Sequence, residues 1–106
     1  MTRANHLLIS DHALLRSWAR DVRRMFDEMP YLVGSCIERP DFRDVDVRIM
    51  MAGDDYSTPF WKGVNLAVSL WGQKVTGLPI DFQVQQTDAA NAEFTGPRHA
   101  LGLDVH

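Results

Sequence analysis

The chain has 106 residues, 45% of them hydrophobic, which suits one small domain with a modest core. Eleven basic and fourteen acidic side chains leave a net charge of −3, so no global positive field marks a nucleic-acid binder. The single cysteine, Cys36, excludes an internal disulfide framework, and no apolar stretch resembles a secretion signal or a membrane span, so a cytoplasmic protein is expected.

Residues 1–10 read as a lead-in, with Asp11 as the expected N-cap of the first helix. Leu15, Trp18, Val22, Met25 and Met29 recur at three- and four-residue steps, which predicts an amphipathic helix over 12–28. Arg16, Arg20, Arg23 and Arg24 mostly fall off that stripe and read as a solvated face. Pro30 stops the helix and leads into a short strand, Tyr31-Leu32-Val33. Residues 34–43 read as a loop, and 44–51 as a second strand. The next stretch is rich in turn formers, and Asp54 and Asp55 read as loop acids.

Thr58 and Pro59 have the form of an N-cap followed by a first-turn proline. Phe60, Val64, Ala67, Val68, Trp71 and Val75 then predict a second helix, closed by Gly77. Ile80 to Val84 alternates apolar and polar residues, which predicts a third strand. Ile80, Phe82 and Val84 would face the core, and Asp81, Gln83 and Gln85 the other side. Beyond Asp88 no period is sustained, so 87–106 reads as a C-terminal tail, with Arg98 and His99 on its surface. His99 and His106 lack partners at zinc-ligand spacing. The order α-β-β-α-β predicts the α+β class: a mixed sheet with two main helices packed on one face. One domain spans 1–106, with its core at 12–86.

The chemistry concentrates between residues 34 and 48. Alternate residues of a strand share a face, so Asp44 and Asp46 project side by side while Val45 turns inward. Two neighbouring carboxylates repel unless a cation sits between them, and hard oxygen ligands suit Mg²⁺. Arg48, two residues further along that face, would neutralise the pair or touch a phosphate. Gly34-Ser35 offers open backbone N–H groups and a hydroxyl, the equipment of a phosphate cradle. Arg43 stands next to Asp44 and could meet a phosphate or an acid. Asp81, on another strand, supplies a third carboxylate as metal ligand or base.

Val33-Gly34-Ser35, then Asp44-Val45-Asp46-Val47, then Ile80-Asp81-Phe82 after a helix resembles the DNA polymerase beta-type nucleotidyltransferase superfamily. The resemblance is to its small, minimal members from bacteria and phages, and covers about residues 12–86. It implies a nucleotidyltransferase-like fold, NTP binding and dependence on Mg²⁺, or on Mn²⁺ in its place. It further implies Gly34, Ser35 and Arg43 at the nucleotide, with Asp44, Asp46 and Asp81 as metal-binding and catalytic residues. The acceptor would be a protein side chain, an RNA end or a small molecule. Cys36 stands where the family often has a basic residue, Glu38 adds an acid to the loop, and that loop is short. These departures support an alternative: a binding module of weak or no activity, antitoxin-like or regulatory, pairing with a protein partner or with itself as a homodimer.

Overall fold

A computed structural model describes residues 7–53, 55–94 and 96–102; Asp54, Thr95, the first six residues and 103–106, His106 included, lie outside the described residues. Eight elements follow one another: α1 (Ile9–Phe26), β1 (Pro30–Val33), α2 (Ser35–Glu38), β2 (Val45–Met51), α3 (Pro59–Thr76), β3 (Ile80–Gln86), α4 (Thr87–Glu93) and β4 (His99–Ala100). The strands form one mixed sheet in the order β3-β2-β1-β4. β2 and β3 run parallel, joined through α3, and β1 is antiparallel to both β2 and β4. The domain belongs to the α+β class, as expected.

The core lies between the sheet and the two long helices. Val45, Val47 and Ile49 of β2 and Ile80, Phe82 and Val84 of β3 are buried, as strand alternation requires. Leu15, Trp18, Ala19 and Val22 of α1 meet them. Trp18 is the hub, edge-on to Trp71 at 5.8 Å and to Phe82 at 6.4 Å between ring centroids. No described helix is long and apolar enough to cross a membrane.

Three local expectations change. α1 begins earlier, with Leu8 at the N-cap, so Asp11 falls in the first turn. There its carboxylate still favours the positive end of the helix. Residues 35–38 make a helical turn inside the expected loop. The expected tail supplies α4 and β4 over its described residues, and Leu101 is fully buried.

The larger correction concerns α3. Of its predicted apolar stripe, Val68 is buried and Val64 and Trp71 pack against the core, while Phe60 and Val75 are 70% and 50% exposed. Ser69, Gly72 and Thr76 are buried beside Val68. The reason is the free edge of β3, whose outward backbone groups need partners. Asn65, Ser69 and Gln73, one turn apart on α3, supply them. Val84 N–H donates to Asn65 Oδ1 at 3.0 Å, Phe82 N–H to Ser69 Oγ at 2.8 Å, and Gln73 Nε2 to the Ile80 carbonyl at 3.0 Å. Rotating α3 to satisfy this edge leaves Phe60, Leu66 and Leu70 in solvent.

Gly72 lets α3 approach α1: a Cβ there would lie 2.7 Å from the Trp18 ring. Gly72→Ala should therefore lose about 1–3 kcal/mol of stability through overpacking, read from urea unfolding. A variant as stable as the parent would contradict this helix contact.

Candidate metal site at the β2–β3 seam

Parallel register makes Asp46 and Asp81 Cα partners across β2 and β3, and Val33 is the partner of Asp46 on the other side. The exit of β1 at Gly34 therefore lies beside the same carboxylate. Asp44 comes just before β2. One carboxylate oxygen from each of Asp44, Asp46 and Asp81 lies within 4.8 Å of the others, an arrangement that could hold a metal ion.

Arg48 explains how the sheet carries these charges without an ion. Its side chain is only 3% exposed, and Nη2 lies 3.3 Å from Asp81 Oδ2 and 3.7 Å from Asp46 Oδ1. Nη1 donates to the Asp81 carbonyl at 2.6 Å and to the Val47 carbonyl at 3.1 Å. The Phe94 ring covers the guanidinium at 5.2 Å. Of the two roles open to Arg48, the geometry gives charge neutralisation within the strand pair.

Burial, with the Asp81 and Asp44 charges added, pushes the Asp46 carboxyl up to about 6, against the opposing pull of Arg48. Burial first, then the Asp46 charge, raises the Cys36 thiol to about 12. Cys36 is thus a core thiol with no thiolate character.

Gly34 has φ +80°, a conformation that favours glycine, and a Cβ there would overlap Asp46 Oδ2. Glycine thus lets the backbone close onto that carboxylate. Ser35 opens the short turn α2, whose first N–H groups have no intrahelical partner. Beside Gly34 is a cavity of about 160 Å³ lined by Glu38, Glu93, Phe94, Gly96 and Pro97. Its two acids make the turn unsuited to a bare phosphate and better suited to one arriving with a cation. Arg43 is exposed and has no ion-pair partner among the described residues, so it is not drawn into the acid cluster. Asp55 accepts from the Ser57 N–H at 2.9 Å and is a turn former, as expected.

A groove of about 950 Å³ follows the β3 edge from Asp44 and Asp81 to Gln86 and Ala89. Lys62, Asn65 and Leu66 of α3 and Tyr56 of the preceding loop form part of its wall. Because α3 side chains already satisfy the outward backbone of β3, this groove does not offer an open edge for strand addition.

Sequence patterns did not reveal Phe94 over the guanidinium or the Asn65-Ser69-Gln73 ladder. The ladder did leave a signal, polar residues at every fourth position. Arg98, expected on the surface of a tail, instead fastens α4: it donates to the Phe94 carbonyl at 3.1 Å and contacts Met50 Sδ at 3.0 Å.

Comparison with family models, characterised proteins and solved structures gives no match to this chain. The functional reading therefore rests on the site itself.

The raised Asp46 carboxyl has a defined sign in stability. Its folded value, about 6, exceeds the ordinary 3.8, so the stabilisation is full below pH 4 and lost as pH rises through 6. Asp46→Asn removes that dependence. Relative to the parent, the variant should gain about 2 kcal/mol between pH 4 and pH 7.5, read from paired urea titrations. An equal difference at both pH values would contradict the burial of this charge.

Proposed function

We propose that the protein is a metal-dependent nucleotidyltransferase of the DNA polymerase beta type, moving a nucleotide from an NTP to an acceptor hydroxyl. The observation that carries this reading is the convergence of Asp44, Asp46 and Asp81 beside a glycine turn seated against Asp46. A divalent ion held by these acids would neutralise the triphosphate and the departing pyrophosphate.

The chain's own residues would divide the work. Gly34 and Ser35 offer backbone N–H groups and a hydroxyl to the phosphate chain. The acceptor oxygen attacks the α-phosphorus, the bond to the bridging oxygen of the β-phosphate breaks, and pyrophosphate leaves. The acceptor's proton goes to a carboxylate. Asp81 suits that role because it is 40% exposed and borders the groove where an acceptor would lie. The groove wall carries more amides and hydroxyls than cations, which favours a neutral polar acceptor over RNA.

The alternative, a nucleotide-binding module without turnover, draws on one specific observation. Arg48 already engages Asp81 Oδ2 and approaches Asp46 Oδ1, while Glu38 and Glu93 flank the turn.

Calorimetry with each NTP and Mg²⁺ or Mn²⁺, followed by assays of pyrophosphate release, separates these readings. Metal-dependent NTP binding is expected, weakened at least tenfold, about 1.4 kcal/mol, by Asp44→Ala. Binding with label transfer supports the transferase. Binding without transfer across protein, RNA and small-molecule acceptors supports the module. No nucleotide binding with metal overturns both.

A further inference from the structure

We infer that Arg48 occupies the place of a second cation, so that the acid cluster holds a single divalent ion. This inference rests on the metal-binding reading of the cluster and fixes its stoichiometry.

Three observations converge. First, the Asp46 carboxylate is divided: Oδ1 faces the Arg48 guanidinium at 3.7 Å, and Oδ2 faces Gly34, where a Cβ would overlap it. Asp81 is divided in the same way, with Oδ2 at 3.3 Å from Arg48 Nη2 and Oδ1 3.4 Å from Gln83 Nε2. One oxygen of each of these two acids therefore already faces a cation. The carboxylate oxygens of the cluster that Arg48 does not meet remain for one ion.

Second, Arg48 is fixed in place. It is 3% exposed, and bonds to two backbone carbonyls and the Phe94 ring hold it. Its Nε is buried without a hydrogen-bond partner among the described residues. An unpaired buried N–H is costly, so the clamp on the carboxylates must more than offset it. A guanidinium stays charged at every working pH, so it cannot yield its place by losing a proton.

Third, the charges balance for one ion. Three carboxylates and one guanidinium leave two negative charges, matched by a single divalent cation. A second divalent ion bound to Asp81 Oδ2 would face the guanidinium across a like-charge contact of a few ångströms.

Mn²⁺ titration of the full chain, followed by calorimetry and by the paramagnetic resonance signal of free Mn²⁺, tests this without any activity assay. The wild-type protein should bind one Mn²⁺ per chain up to a hundred times the first Kd, and Asp44→Asn should lose it. Arg48→Met, which removes the cation and keeps the stem, should bind two. Two Mn²⁺ per wild-type chain would overturn the inference and leave the metal reading standing. No specific Mn²⁺ would overturn both. An Arg48→Met protein with native circular dichroism that still binds only one would overturn the role given to Arg48. If that variant does not fold, the wild-type stoichiometry alone decides.

Discussion

The contact between Arg48 and the Asp46–Asp81 pair is the interaction on which the rest of the site depends. Parallel pairing of β2 with β3 places these two acids side by side. With no cation between them, the pair would oppose the register that buries Val47 with Phe82 and Ile49 with Val84. Arg48 removes that conflict from within the same strand. Breaking such a buried pair by deleting one partner is costly, because it strands the other charge. Core packing and site electrostatics are therefore two faces of one strand pair: odd residues of β2 build the core, and even residues build the acid cluster.

A second constraint shapes the surroundings. β3 lies at the edge of the sheet, and α3 satisfies that edge through Asn65, Ser69 and Gln73. This turns the helix so that Phe60, Leu66 and Leu70 are exposed, and it leaves a groove that begins at Asp44 and Asp81. The same arrangement blocks strand addition and keeps open a path to the carboxylates. The acid cluster thereby lies at one end of an open groove.

Much of this was legible in the residues. Alternation placed Val45, Phe82 and Val84 inward, and Asp46, Arg48 and Asp81 on the opposite face, because strand periodicity is local and strict. The capping signals at Thr58, Pro59 and Gly77 mark α3 correctly for the same reason. Other features depend on tertiary context. The apolar stripe of α3 marked the buried face only in part, through Val64, Val68 and Trp71, because the orientation of the helix also answers to the backbone of β3. Alternation put Arg48 on the face of the acids but left open whether it neutralises them or meets a phosphate. Only the packing of α4 and Phe94 buries Arg48 on the acids and leaves Arg43 exposed. The close approach of Gly34 to Asp46 and the meeting of Glu38 with Glu93 near the turn were not legible in the sequence, because they too depend on tertiary context.

The most direct measurement is a crystal structure of the protein soaked with Mn²⁺ and a non-hydrolysable NTP, with the metal located by anomalous scattering. The expected result is one peak at the Asp44-Asp46-Asp81 cluster, the phosphate chain at Gly34-Ser35, and Arg48 still joined to Asp81. No peak at these acids, or a second peak beside the first with Arg48 displaced, would contradict a single-ion centre at the β2–β3 seam.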